Sequence, residues 1–423
     1  MGSKKYIKQI TMGRNERPEE RLHTPILEGD RALWIIYAVL IVISILVVYS
    51  STAKMAYDVS SNLTTTESLR QQIMLILVMS LPVIFIAHKI NYTFYHRWAG
   101  AFYWVSILLT IATYFVGTSM NGAARWLPIG PFQFQPSELL KVATILMLAR
   151  RMADRQATID KVKLIPTSFR LKDPKQWKIL KENTWPLLGP VVISCIVIAP
   201  AHISSAVIIA LASMLTLYIG RVPKREIAKT IGLGATAAAV GLSLLSMVGI
   251  GRGDTAFTRL TRWIMELFTD SRREYVYELS DTQRAMIAIH NGGLTGEGAG
   301  HSTSRAVVIH PESDYAYAFF ASEYGAIAAI MLMLLYLWIT FRAIEICRKC
   351  ITAFPTLMSA GLGLLITCQA MLHIIVQVNL FPETGQTLPI ISRGGSSLLS
   401  MSMALGMILS VSRMPFVKTK NRL

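Results

Sequence analysis

The sequence predicts an all-α polytopic membrane protein of about ten transmembrane helices, and two observations support this. Of its 423 residues, 52% are hydrophobic and only 16% are charged, whereas a soluble domain carries about 25% charged residues. Apolar runs recur at roughly the 20-residue length that a helical span needs. They lie near residues 33–51, 73–90, 97–117, 136–150, 186–200, 203–220, 226–250, 315–341, 355–380 and 396–413.

These runs define one membrane domain over residues 33–413, between a polar N-terminal tail (residues 1–32) and a short C-terminal tail (residues 414–423). The 186–200 and 203–220 runs are separated by only two residues, which is compatible with a helical hairpin or with one broken element. Lys and Arg concentrate in the two tails and in alternate connectors. Basic loops are retained in the cytoplasm, so both termini are predicted to be cytoplasmic.

The long connector at residues 251–314 lies between spans 7 and 8, on the extracytoplasmic side of this topology, and it contains seven Arg and no Lys. Loops of this length are usually functional, and the planar guanidinium of Arg can hold phosphate oxygens bidentately. The cytoplasmic connector at 151–185 alternates basic and apolar residues. It is predicted to lie on the anionic inner leaflet, with a protein-docking face as the alternative.

The net charge of +17 does not indicate nucleic-acid binding, because the basic residues are distributed among the connectors of a membrane protein. Cys347 and Cys350 form a lone C-x-x-C pair, and a metal site would need a second pair or His partners. We therefore expect free thiols, no disulfide and no metal site of cysteines.

The first stretch with candidate chemistry runs from Asn121 to Lys141 and joins two spans on the outer side. It contains a Gly- and Pro-rich turn, in which Arg125 lies at headgroup depth. Glu138 and Lys141 follow in the next helix. Intramembrane charges are functional by default, but these two side chains are also spaced to pair with each other.

The second stretch runs from Gln283 to Arg305 and reads as an amphipathic helix that leads into a glycine-rich loop. Glycine backbone N–H groups can approach a phosphate closely, although the pattern fits neither the P-loop nor the dinucleotide fingerprint. The third stretch carries Asp314 at the edge of the membrane, where a carboxyl is suited to act as a general base or, equally, as a helix N-cap. Glu323 lies deeper and needs a partner.

The fourth stretch, Gln377 to Ser397, is an irregular segment between the last two spans that includes Gln386, Ser392 and Arg393. Irregular backbone at membrane depth must be sheltered by protein or water, so this segment is predicted to be re-entrant and to line a cavity. All four stretches face the same side of the membrane. Their Arg groups, backbone donors and carboxylate suit a lipid-linked anionic substrate.

The four stretches, in this order, resemble the SEDS family of bacterial shape, elongation, division and sporulation proteins, and the cell-division branch more than the elongation branch. The residues that carry the resemblance are Gly122-Ala-Ala-Arg-Trp126, Gln135-Pro-Ser-Glu138, Gly292-Gly-Leu-Thr-Gly-Glu-Gly-Ala-Gly300 with Ser304, Ser313-Asp-Tyr315, Glu323-Tyr-Gly325 and Thr384-Gly-Gln-Thr-Leu-Pro-Ile-Ile-Ser-Arg-Gly-Gly-Ser-Ser397.

The resemblance implies a multi-pass peptidoglycan glycosyltransferase of the bacterial inner membrane, which polymerises lipid II during septal cell-wall synthesis. It implies that Asp314 is the general base. It also implies partners, namely a class B penicillin-binding protein (a transpeptidase) and other divisome proteins. A divalent cation, Mg²⁺ or Mn²⁺, is compatible with pyrophosphate departure, but no ligand cluster in the sequence demands one. The expected substrate contacts are Arg125, Glu138, Lys141, Arg305, Gln386, Ser392 and Arg393.

The sequence departs from the family pattern in the short spacing before Asp314, so no role passes to Glu312. It departs also at Arg393, where an aromatic residue is common, and at Ser322, where a second Glu is common. Two other functions remain open at this point. One is a flippase or transporter of lipid II, and the other is a non-catalytic scaffold of the division machinery.

Overall fold

The structure is a computed structural model, and it confirms a helical bundle. It describes residues 27–52, 65–120, 123–129, 132–166, 174–248, 253–268, 280–308 and 310–413. The predicted C-terminal tail and most of the N-terminal tail therefore lie outside the described residues. The helices are α1 Arg31–Ser51, α2 Thr65–Leu75, α3 Leu81–Lys89, α4 Tyr92–Val116, α5 Pro136–Ala153, α6 Pro174–Ile179, α7 Trp185–Ile198, α8 Ile203–Ile219, α9 Lys224–Val248, α10 Gly253–Phe268, α11 Asp281–Gly292, α12 Ala316–Lys349, α13 Ala353–Gln377 and α14 Gly395–Ser412.

Each predicted apolar run coincides with a helix. The helices α2 and α3 are continuous with each other through the π-helical turn Ile76–Ser80. Within the described part of the chain, six helices are long and apolar enough to cross a membrane, and Ile203–Ile219 is a shorter apolar helix. The count of ten spans and the orientation remain predictions. The helices α7 and α8 pack against each other, so the 186–220 region is a hairpin.

The helices α13 and α14 form the centre of the bundle. The apolar stretch of α13 is 83% buried and that of α14 is 78% buried, whereas those of α4 and α12 are 33% and 28% buried. The outer helices expose large apolar side chains, as lipid-facing surfaces do. The helix α5 packs against both α13 and α14, which places its polar side chains inside the bundle.

The stretch between α4 and α5 differs from its prediction as a tight turn. It forms a small antiparallel sheet of β1 Thr118–Met120, β2 Ala123–Ile129 and β3 Phe132–Phe134, with β2 in the middle. Gln135 lies between β3 and α5, and its backbone N–H donates to Ser396 Oγ at 2.8 Å. That bond ties the start of α5 to the start of α14.

The described part of the long connector before Asp314 contains two helices, α10 and α11. The helix α11 starts with a reciprocal capping box, in which Ser280 Oγ accepts from the Gln283 N–H and Gln283 Oε1 accepts from the Ser280 N–H. The amphipathic helix predicted here is therefore confirmed. The 151–166 part of the connector that was predicted to be cytoplasmic is fixed to α9, because Glu226 Oε2 accepts from the Leu164 N–H at 2.9 Å.

Candidate active site

The segment between α13 and α14 (residues 378–394, hereafter the re-entrant segment) is irregular and enters the interior of the protein. Leu388 and Ile391 are fully buried. Hydroxyl groups of three helices donate to its backbone carbonyls: Tyr336 donates to Pro389 O at 2.6 Å, Ser44 to Ile391 O at 2.8 Å and Ser204 to Thr384 O at 3.0 Å. Helices from all around the bundle thus satisfy backbone groups that lipid cannot, as expected for a sheltered re-entrant segment.

Asp314 lies against this segment and borders a small cavity of about 50 Å³. A Cβ atom added to Gly385 would be 3.6 Å from Asp314 Oδ2. The N-cap position of α12 is Tyr315, and no side-chain hydrogen bond caps it within the described residues, so the alternative role of Asp314 as a helix cap is wrong. The cavity is lined by Arg259, Asp281, Asp314, Tyr315, His373, Val376, Glu383, Thr384, Gly385 and Gln386.

The surroundings of Asp314 raise the pKa of its carboxyl group. Burial raises the pKa of Asp314 above its usual range, and the positive charges of His310 and Arg125 partly oppose that shift. The Glu312 carboxylate, whose Oε1 lies 3.8 Å from His310 Nδ1, raises the pKa of His310. A carboxylate in such an environment is a better proton acceptor than an exposed one.

Ser392 and Arg393 hold the Asp314 segment in place. Ser392 Oγ donates to Ser313 O at 2.7 Å and accepts from the Leu388 N–H at 2.8 Å. The backbone N–H of Arg393 donates to Glu312 O at 2.8 Å, and its side chain donates to Gln71. Both were predicted as substrate contacts, but neither is among the described residues that line the cavity. The hydrogen bonds observed for these two residues are all to other residues of the protein.

Lys141 and Glu138 form a buried ion pair, with 2.7 Å between Nζ and Oε1. Lys141 Nζ also donates to Gln369 Oε1 at 2.6 Å, and Gln369 Nε2 donates to Thr387 O at 3.1 Å. The ion pair is therefore connected to the re-entrant segment through Gln369 of α13. Of the two predicted roles, the structure shows the pairing, and it shows no opening from Lys141 to either described cavity.

Arg125 lines a second, narrower cavity of about 10 Å³, together with residues of α4, α5 and the α7–α8 turn. His202 belongs to this second cavity, and Gln386 Nε2 lies 2.8 Å from His202 Nδ1. Gln386 also lines the Asp314 cavity, so these two side chains separate the two spaces. Arg305 lies on the 3₁₀ turn Thr303–Ala306, and its side chain is outside the described residues.

The glycine-rich loop uses its backbone donors on α12. The N–H groups of Glu297 and Gly298 donate to the carbonyls of Ser322 and Glu323 at 3.0 Å each, and Gly300 N–H donates to Glu323 Oε1 at 3.0 Å. These three backbone N–H groups are therefore engaged within the protein, whereas the sequence pattern indicated the loop's N–H groups as possible phosphate contacts. They also supply the partner that Glu323 needs, and Ser50 Oγ donates to the same carboxylate.

Arg259, Glu383 and His373 line the Asp314 cavity, although sequence reasoning did not select them. Arg259 Nε lies 3.9 Å from Glu383 Oε2, and Thr282 Oγ1 donates to Glu383 Oε1 at 2.8 Å. These contacts bring α10 and α11 onto the re-entrant segment at the mouth of the cavity. The sequence feature that could have identified Arg259 is the composition of the long loop, whose basic residues are all Arg.

Metal-binding clusters are absent from the described residues, where no group of three or more His, Cys, Asp or Glu is placed to hold a metal ion. The carboxyl groups of Asp281, Asp314 and Glu383 line one cavity but do not form such a group. All four cysteines are free in the structure, including Cys347 and Cys350.

The structure thus defines a class of multi-pass membrane protein in which a buried carboxyl and a re-entrant segment enclose a cavity. A family model described as "cell cycle protein", which groups FtsW, RodA and SpoVE, matches residues 30–415. The chain therefore belongs to this family, the SEDS family, and it is a multi-pass protein of the bacterial inner membrane.

Individual relatives agree with this family. The chain is 29% identical over 317 residues to a probable peptidoglycan glycosyltransferase FtsW of Caulobacter vibrioides, over 75% of this chain and 72% of that protein. It is 26% identical over 348 residues to the peptidoglycan glycosyltransferase MrdB of Escherichia coli, over 79% and 83% of the two chains. A chain of a peptidoglycan synthase complex has the same fold, with a TM-score of 0.62 and 20% identity over 91% and 98% of the two chains.

Proposed function

We propose that this protein is a peptidoglycan glycosyltransferase that polymerises lipid II, with Asp314 as its general base. Family membership over residues 30–415 supports the reaction class, and relatives named peptidoglycan glycosyltransferase support the substrate. The single observation that carries the residue assignment is the placement of Asp314, which is partly buried at the wall of the cavity, where desolvation raises its pKa.

In the proposed reaction, the 4-hydroxyl of the acceptor GlcNAc attacks the anomeric carbon of the donor MurNAc. Asp314 accepts the hydroxyl proton as the new C–O bond forms. The bond between the anomeric carbon and the pyrophosphate oxygen breaks, and undecaprenyl pyrophosphate leaves with the electron pair. Attack opposite the leaving group inverts the linkage from α to β-1,4. A positioned general base typically contributes about 10²–10⁴ in rate.

The leaving pyrophosphate needs positive charge near it. Arg125 in the second cavity and Arg259 at the mouth of the first cavity supply guanidinium groups on either side of Gln386. Such groups stabilise charge that develops on phosphate oxygens. Among the described residues, the carboxyl groups of the cavity do not form a metal-binding group, so the proposal assigns no step to a divalent cation.

The proposed partner is a class B penicillin-binding protein, which would crosslink the strands that this protein makes. The structural neighbour from a peptidoglycan synthase complex, which coordinates polymerization and crosslinking, supports that pairing. The likeness to FtsW supports a role in septal synthesis together with other divisome proteins. The likeness to MrdB makes a role in elongation the alternative.

Two rival functions differ in their requirements. A lipid II flippase needs charged groups that can serve a relay across the membrane, but Lys141 and Glu323 are engaged in buried contacts. A non-catalytic scaffold does not need a buried carboxyl at a cavity. The test uses the purified protein with fluorescent lipid II, with and without its transpeptidase partner. Glycan polymers on a gel would support the proposal, whereas reconstituted flipping without polymer would support the flippase.

A further inference from the structure

The helix α13 contacts both walls of the Asp314 cavity through two side chains one turn apart, His373 and Gln377. Both are buried: His373 is 1% exposed and Gln377 is 0% exposed. One wall is the segment that carries Asp314, and the other is the re-entrant segment with Gln386. His373 itself lines the cavity, and the reaction proposed above gives it no role.

The hydrogen bonds of Gln377 fix the orientation of its amide. Gln377 Oε1 lies 2.5 Å from the backbone nitrogen of Ala318. An N–H group can only donate, so the carbonyl side of the amide must face Ala318. The amide nitrogen Nε2 then faces the other way, where it donates to Asp314 O at 3.3 Å and contacts His373 Nε2.

The hydrogen bonds of His373 in turn fix its tautomer. His373 Nδ1 lies 2.7 Å from Gln386 O, and a carbonyl oxygen can only accept, so Nδ1 carries the proton. His373 Nε2 faces the Gln377 Nε2 donor, so it must present its lone pair. Only the neutral ring protonated at Nδ1 satisfies both neighbours.

The result is a continuous chain of hydrogen bonds from one wall to the other, hereafter the His373 bridge. It runs from the carbonyl of Gln386 through the His373 ring and the Gln377 amide to the backbone of Asp314 and Ala318. The Ala318 N–H belongs to the first turn of α12, where backbone donors have no partner within the helix. The bridge therefore fixes the start of α12, directly after the proposed base.

We propose that His373 is a positioning residue, which sets the placement of the Asp314 carboxylate relative to the re-entrant wall and hence to the acceptor sugar. This inference rests on the proposed polymerase function. Both walls are irregular backbone, and the direct hydrogen bonds of Ser392 and Arg393 join them only before Asp314, at the carbonyls of Ser313 and Glu312. A misplacement of about 1 Å between a base and its substrate can cost on the order of 10²-fold in rate, so an additional connection at Asp314 and Ala318 would affect the rate.

The experiment compares His373→Phe, His373→Asn and Cys368→Ala in purified full-length protein, with lipid II as substrate. Phe keeps the ring volume and removes both hydrogen bonds, whereas Asn keeps a donor at the position of Nδ1. Cys368 lies on the same helix, is largely buried and is outside the cavity lining, which makes it a matched control. Size-exclusion profiles and thermal unfolding establish that each variant is folded.

We expect His373→Phe to lower kcat by about 10- to 100-fold while KM for lipid II changes less than about threefold, because only the placement of the base is lost. His373→Asn should recover part of kcat, and Cys368→Ala should match the wild type. A kcat for His373→Phe within twofold of wild type would overturn the inference. Should the Phe variant fail to fold, an Asn variant with wild-type kcat or with a loss only in KM would overturn it equally.

The two levels of the proposal fail differently. Should wild-type protein with its partner make no polymer, the polymerase function itself would be wrong. Should wild type polymerise and depend on Asp314 while both His373 variants remain fully active, only the positioning role would be wrong.

Discussion

Lys141 Nζ lies 2.7 Å from Glu138 Oε1 inside the bundle, where the two side chains are 0% and 6% exposed. They are three residues apart on α5 and face α13, which supplies Gln369 as a further acceptor. Each charge compensates the other in the interior of the bundle. The sequence left open whether these residues bind substrate or each other, and the structure shows the second arrangement.

Removal of only one member of this pair should be strongly destabilising. We expect Lys141→Met to lower the free energy of unfolding by about 3–5 kcal/mol, because it leaves the Glu138 carboxylate buried without its counter-ion. The double variant Lys141→Met with Glu138→Gln should recover much of that loss. Thermal unfolding in detergent provides the measurement, and equal stability of the single and double variants would contradict a pairing role.

The rate of polymerisation should rise with pH as Asp314 loses its proton. Burial raises the pKa of Asp314, so the acidic limb of the rate profile should lie above the range of an ordinary carboxyl. The charge of His310 lowers that pKa. His310→Gln should therefore move the limb to higher pH, whereas the exposed His301→Gln should leave it in place. A limb that moves to lower pH in His310→Gln would contradict this assignment.

Gly325 interrupts α12 with a φ of +82°, and a Cβ atom there would lie 2.3 Å from Leu294 O. The glycine-rich loop binds the helix at this break. We expect Gly325→Ala to destabilise the protein by at least about 1–3 kcal/mol, from backbone strain and overpacking. Gly234→Ala on α9 is the matched control, since no atom lies within 4 Å of its Cβ position. A tolerated Gly325→Ala, as judged by thermal unfolding, would show that the close contact is relaxed.

Hydropathy and the distribution of charge were sufficient to predict the helical bundle, because lipid allows few other structures. The small sheet at 118–134 was missed. The sequence between the two spans contains Gly and Pro residues, such as Gly130 and Pro131, that indicate a turn, and short strands carry little periodicity. The glycine-rich loop was located correctly, but its donors are used on α12, a tertiary contact that local sequence does not encode.

Within the candidate site, the sequence singled out Asp314 and Gln386, which line one cavity. Polar residues in irregular segments stand out against an apolar background, and that contrast made them visible. His373 lies inside an apolar helical run, where a lone histidine is as readily structural as functional. Its significance comes from the carbonyl of Gln386 and the amide of Gln377, which only the folded arrangement brings to it.

The assignment of Asp314 as general base is tested most directly by Asp314→Asn, measured by polymerisation of purified lipid II in the presence of the transpeptidase partner. Asn keeps the size of the side chain and removes its basicity, so we expect a loss of at least about 10²-fold while the protein stays folded. Glu312→Gln, which removes a carboxylate two residues away, should retain most of the activity. Polymerisation by Asp314→Asn at the wild-type rate would contradict the account.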